Sequence, residues 1–154
     1  PEIYPYKAKE AGAYIVATGR GDFPNQVNNS ICFPSILKGI LLVSARRITD
    51  TMAICAAHSI ADFAEKRGIH PDNIMPSMME SDLFPRVAAD VAMQAVKEGL
   101  ALNPKSWEEV YQAAKNDIEE TYRISHFLYE NGFIKTLDDD VLMKALEEAI
   151  KEVE

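Results

Sequence analysis

The chain has 154 residues, 47% of them hydrophobic, which is one domain's length with material for a real core. Sixteen Lys and Arg stand against 24 Asp and Glu, a net charge of −8. That balance argues against a nucleic-acid partner, which needs a clustered basic face, and against docking on an anionic membrane. No apolar run approaches the roughly 20 residues that span a bilayer. Nothing in the opening residues reads as a secretory leader.

In chain order, Ala8 to Gly12 reads as the end of a short helix capped by Gly12. Ala13-Tyr14-Ile15-Val16-Ala17-Thr18-Gly19 is apolar, aromatic and β-branched, and closes on glycine, which predicts one clear buried strand. A lone strand cannot make a sheet, so it joins strands supplied by other sequence or the fold is essentially helical. Arg20 to Asn29 is a polar loop. The run Ile31 to Val43 predicts a short buried helix with Pro34 near its first turn. Thr49-Asp50 is an N-cap pair and Lys66-Arg67-Gly68 a basic last turn with a glycine cap, bounding a second helix. Its apolar positions Met52, Ile54, Cys55, Ile60, Phe63 and Ala64 cover so much of the circumference that it is expected to be largely buried. Residues 70–84 form a loop with Pro71, Pro76 and a Met cluster. A third helix spans about Pro85 to Glu98, closed by Gly99. Two more follow, roughly 106–130 and 138–153, the latter with Leu142, Leu146, Ala149 and Val153 on one face.

Charge divides the chain. Residues 1–104 hold 10 basic and 11 acidic side chains, and residues 105–154 hold 6 and 13. Asn103-Pro104-Lys105-Ser106 reads as the boundary, a linker followed by a helix start. The organisation expected is a near-neutral body, 1–104, carrying an acidic helical extension, 105–154.

Several short motifs carry no function. Gly19-Arg20-Gly21 follows the expected strand, but a dinucleotide fingerprint needs a third glycine where Pro24 stands. Arg20-Gly21-Asp22 and Asn28-Asn29-Ser30 matter only outside the cell. His58, His70 and His126 lack ligand-like spacing, and Asp138-Asp139-Asp140 reads as N-capping charge at a helix start rather than a cation site. Cys32 and Cys55 match no zinc pattern and read as small buried side chains in a reducing cytoplasm. The segment that stands out is Asn25-Gln26-Val27-Asn28-Asn29-Ser30, with four carboxamides just before a buried helix. Amide donors beside a helix N-terminus suit a small carboxylate. The same residues also suit a loop whose side chains satisfy their own backbone. From chemistry alone both readings stand.

The stretch Ala17-Thr18-Gly19-Arg20-Gly21-Asp22-Phe23-Pro24-Asn25-Gln26-Val27-Asn28-Asn29, followed by Phe33-Pro34, closely resembles a signature of malic enzymes. Pro1-Glu2-Ile3 and Ser81-Asp82-Leu83-Phe84-Pro85-Arg86-Val87-Ala88 resemble flanking segments of that family, so the resemblance covers about residues 1–102. Gly21 stands where the family usually has serine, and Ser35 where a glycine commonly follows Phe-Pro; neither departure removes an amide.

The resemblance implies an α/β fold, the C-terminal portion of a Rossmann-like NAD(P)-binding domain; with the residue reading, the expected chain is predominantly helical, with one clear strand and an acidic helical extension. It implies oxidative decarboxylation of malate to pyruvate and CO2 with NAD or NADP and Mg2+ or Mn2+. Asn28 and Asn29 would line the malate pocket, with Thr18 and Gly19 on the nicotinamide side. The family's catalytic tyrosine and lysine, its metal ligands and its glycine-rich turn lie upstream of the region resembled, so no catalytic or metal residue is placed here. The expected partners are malate or pyruvate, the remaining N-terminal part of the enzyme, and a second copy of the complete enzyme; the chain by itself is expected to be inactive. The alternative is a non-enzymatic helical interaction or oligomerisation module built on the same scaffold.

Overall fold

The computed structural model describes residues 2–135 and 139–153. Helix α1, Pro5–Glu10, starts on a proline that needs no amide partner there, and the chain leaves it through Gly12 at φ +103°. Residues 13–17 then run without helix or strand, and the strand expected here is not formed. Among the described residues there is no strand at all, only isolated bridges, one of them pairing Thr18 with Gln26. The reason is the lack of a neighbour. Strand residues gain stability from a ladder, and here the only partner among the described residues is the chain's own loop eight residues on. Tyr14 is 77% exposed and Ile15 46%, so the burial predicted by the pattern is not supplied either.

The core is built mainly from three helices. A single 3-10 turn at Asn29–Ile31 leads into α2, Phe33–Leu42, with Pro34 in its first turn. Helix α3, Asp50–Arg67, begins at Thr49, whose Oγ1 accepts the Met52 amide at 3.2 Å, and ends at Gly68 with φ +96°. Helix α4, Leu83–Lys97, packs on both α2 and α3 and buries Leu83, Val87, Ala88, Ala89, Val91, Ala92 and Ala95. Each buried Leu or Val contributes on the order of 1.5–3 kcal/mol. The α2–α4 contact is close enough to require Gly39: a Cβ there would stand 2.2 Å from the Ala88 carbonyl oxygen. Ser35, four residues earlier on the same helix, is buried with a hydroxyl that meets no protein partner. Thr49 Oγ1 also donates to Glu98 at 2.9 Å, tying the start of α3 to the end of α4. Helix α3 was expected to be largely buried, and it is not. Met52, Ala56, Ser59, Ile60 and Ala64 form the packed stripe, while Ile54 is 56% exposed.

Helix α5, Trp107–Glu130, opens with a capping box. Ser106 Oγ and its amide both reach Glu109 Oε2 at 2.7 Å, and the Glu109 amide returns to Ser106 Oγ at 3.3 Å. Trp107 Nε1 donates to Asp90 Oδ1 at 2.7 Å, Val110 and Ala114 are buried, and Lys38 of α2 pairs with Asp117. The chain divides into two compact units, residues 1–118 and 119–154. The second comprises the rest of α5 and α6, Asp139–Val153, and exposes Tyr122, Phe127, Phe133, Leu142, Leu146 and Ile150. Asp138 of the acidic run lies outside the described residues, as does the Val153 side chain. No described helix is long and apolar enough to cross a membrane.

Candidate substrate-facing loop

The loop between residues 18 and 31 is held by Asn25. This residue is 6% exposed and sits at φ +56°, a conformation asparagine tolerates better than most L-residues. Its Nδ2 donates to the Val16 carbonyl at 3.0 Å and the Pro71 carbonyl at 2.7 Å, and its Oδ1 accepts the Ile74 amide at 2.8 Å. One side chain therefore joins the extended segment, the loop and the 70–76 segment. A second tie comes from Lys9, which pairs with Asp72 at 2.5 Å and holds that carboxyl below its ordinary range. The far side of the 70–80 segment is gathered by Arg67. Its guanidinium donates to Glu80 at 2.7 Å and to the Asn73 side chain at 2.8 Å, from the last turn of α3.

Thr18 and Gly19 lie alongside residues 25–27. The Thr18 amide donates to Asn25 O at 3.3 Å, and the Val27 amide to Thr18 O at 2.8 Å. Thr18 Oγ1 accepts the Arg20 amide at 3.3 Å. Gly19 is exposed, and the nearest atom to a Cβ built on it is Val27 O at 3.8 Å, so a ligand can approach its surface. Arg20 grips Asp22 through two hydrogen bonds, 2.7 and 2.5 Å, and lies 5.4 Å from the Phe23 ring centre. The hydrogen bond from Arg20 keeps the Asp22 carboxyl below its ordinary range. This pair is about half exposed and closes the tip of the loop.

Asn28 and Asn29 follow at the start of the 3-10 turn, both exposed. Asn28 Oδ1 accepts the Ser30 amide at 2.9 Å and the Ser30 hydroxyl at 2.7 Å, so its Nδ2 lies on the other side of the amide. Four adjacent amides thus divide. Asn25 is structural, Gln26 Nε2 stands 3.5 Å from Gly19 O, and Asn28 and Asn29 are exposed at the surface. The structural role of Asn25 was not read from the sequence. Its signal was the Pro24-Asn25 pair, a turn dipeptide in which Asn takes the left-handed position.

Elsewhere, an open groove of about 400 Å³ lies between α3 and α4, lined in part by Cys55, His58, Asp62, Arg86, Asp90 and Lys97. Asp90 is spent structurally on Ser59 Oγ at 2.5 Å and on Trp107. Burial pushes the Cys55 and Cys32 thiols up, so neither is an activated thiolate. Among the described residues no three His, Cys, Asp or Glu converge to hold a metal ion.

The sequence model described as "Malic enzyme, NAD binding domain" matches residues 13–98, more than half of the chain. The chain therefore belongs to the malic enzyme family, through its NAD-binding domain. It is 56% identical to the malic enzyme of Entamoeba histolytica, whose crystal structure superposes with a TM-score of 0.90 over 99% of this chain and 32% of that one. The malic enzyme of Pyrococcus horikoshii is 45% identical, with a TM-score of 0.74 over 85% of this chain and 28% of that one. The bifunctional malic/malolactic enzyme of Bacillus subtilis is 41% identical over 115 residues, 75% of this chain and 28% of its own length. Other relatives are named NAD-dependent and NADP-dependent malic enzymes. The chain thus spans about a third or less of these relatives. The likeness to the Entamoeba protein runs beyond residue 102, into the tail that the motif resemblance did not reach.

Proposed function

We propose that this chain is the C-terminal part of a malic enzyme that oxidatively decarboxylates malate to pyruvate and CO2, and that its Asn28 and Asn29 orient malate. The observation that carries the reading is the pair of exposed asparagine side chains. Asn28 and Asn29 are exposed at the end of a loop that Asn25 fixes at both flanks. Uncharged donors suit a carboxylate or hydroxyl oxygen without adding charge at the reacting carbon. Thr18 and Gly19 lie beside that loop, and the bare Gly19 backbone suits close approach of a planar ring, the nicotinamide of NAD or NADP. When bound, that cofactor accepts the substrate hydride.

The rest of the chemistry is assigned to upstream sequence. The segment 13–18 leaves Tyr14 and Ile15 uncovered, apolar surface that upstream sequence would cover. By itself the chain is catalytically silent, because proton transfer needs groups within hydrogen-bond reach of the substrate. We place the complete enzyme in the cytoplasm, in keeping with two unpaired cysteines, and as a homodimer.

The test is an intact-mass measurement on native material, with malate-dependent NAD(P) reduction assayed in the same sample with magnesium or manganese. Activity from a longer polypeptide carrying this segment supports the reading. A homogeneous 17.2 kDa species that reduces no cofactor and is complemented by no companion chain refutes the enzyme part. The second reading, an interaction module, is favoured by one observation: the exposed apolar side chains of residues 119–154.

A further inference from the structure

Asn28 has a feature that its neighbour Asn29 lacks. Both acceptor positions on its amide oxygen are filled by one residue, Ser30, through the backbone amide at 2.9 Å and the hydroxyl at 2.7 Å. An exposed asparagine ordinarily rotates between two orientations that differ by exchange of C=O and NH2, and only one of them offers donors to a ligand. Two donors converging on one amide atom require that atom to be oxygen. The NH2 group then takes the other side of the exposed amide, opposite Ser30.

The Ser30 hydroxyl is itself confined. Met78 Sδ, from the 70–82 segment, lies 2.9 Å from Ser30 Oγ. A thioether is a weak acceptor and an amide oxygen a strong one, so the single hydroxyl proton goes to Asn28 and the sulfur occupies the hydroxyl's other side. Met78 is in turn carried by the segment that Arg67 and Asn25 fasten at 73–80. A chain of contacts thus runs from the end of α3, through the Met-containing loop, to the orientation of one amide.

We infer that Ser30 is a positioning residue for the Asn28 amide: by filling its oxygen it presents NH2 donors alone, and so selects ligands that offer oxygen acceptors, carboxylates first. Ser30 acts through Asn28 and touches no substrate. This rests on the reading that Asn28 binds malate.

Two measurements test it. In the longer polypeptide that carries this segment, Ser30→Ala raises the KM for malate about fivefold, the worth of one ordinary hydrogen bond. The KM for the dinucleotide and the melting temperature stay near wild type, and kcat falls by less than KM rises. Ser30→Thr, which keeps the hydroxyl, recovers most of the loss. In the 154-residue chain alone, the side-chain carbonyl 13C resonance of Asn28 moves upfield in Ser30→Ala and returns in Ser30→Thr. An unmoved Asn28 resonance overturns the inference, as does a KM change that tracks melting temperature and is not rescued by threonine. Asn28→Ala separates the two levels. If it raises the malate KM while Ser30→Ala does not, only the positioning role fails; if it leaves the KM unchanged, the substrate reading fails and the inference with it.

Discussion

Asn25 holds three backbone groups with one side chain, at a backbone angle that itself favours asparagine. Replacing it by alanine removes all three bonds and places a β-carbon in the left-handed region. Asn25→Ala is therefore expected to destabilise the chain by about 2–4 kcal/mol, read by urea unfolding. Asn25→Gly separates the two causes: it relieves the backbone but not the lost bonds, so a glycine variant as stable as wild type would refute the side-chain account. At this scale the sequence offered four equivalent carboxamides, Asn25, Gln26, Asn28 and Asn29. Only the position of the 70–76 segment, 46 to 49 residues away along the chain, decided that the first is structural.

Among the elements, the helices were legible and their packing was not. Thr49, Gly68, Gly99 and the Ser106-Glu109 pair mark helix ends by local chemistry, because caps satisfy backbone groups within one turn. Gly39 carried no such signal. It is needed because α4 crosses against it, and Gly39→Ala is expected to cost about 1–3 kcal/mol or more, with a lower melting temperature and no loss of helix content by far-UV circular dichroism. The cap at α5 makes a pH prediction. Hydrogen bonds from the Ser106 backbone and side chain hold the Glu109 carboxyl below its ordinary value of 4.5. A depressed folded-state pKa contributes stability above the unfolded value and loses it as pH falls through the folded one. Glu109→Gln should therefore flatten the melting temperature's dependence on pH below that ordinary value, with the difference from wild type shrinking as the wild-type Glu109 carboxyl becomes protonated. An identical pH slope in the two proteins would contradict it. The strand expected at 13–19 failed at this same scale, since a ladder needs a neighbour that residues 2–135 do not provide.

The whole molecule divides at residue 118, and every buried apolar residue of the described core falls before it, the last being Ala114. A chain ending at Ile118 is expected to unfold cooperatively, with a melting temperature within roughly 5 °C of the full chain, the shift that about 1 kcal/mol produces in a domain of this size. Loss of cooperative unfolding would show that residues 119–154 complete the core. The sequence by itself determined the helices, their caps, the polar loop before α2 and, through thirteen consecutive residues from Ala17 to Asn29, the malic enzyme resemblance that the family match bears out. These are local or nearly local patterns: a cap reaches one turn, a signature reads along the chain. Tertiary structure decided the rest: which amide is buried, which face of α3 is packed, why Gly39 admits no side chain, and that an apolar segment remains uncovered. Each depends on what lies across from a residue in space, and the physical cause is the same throughout, because burial and hydrogen-bond satisfaction are settled by neighbours distant in sequence.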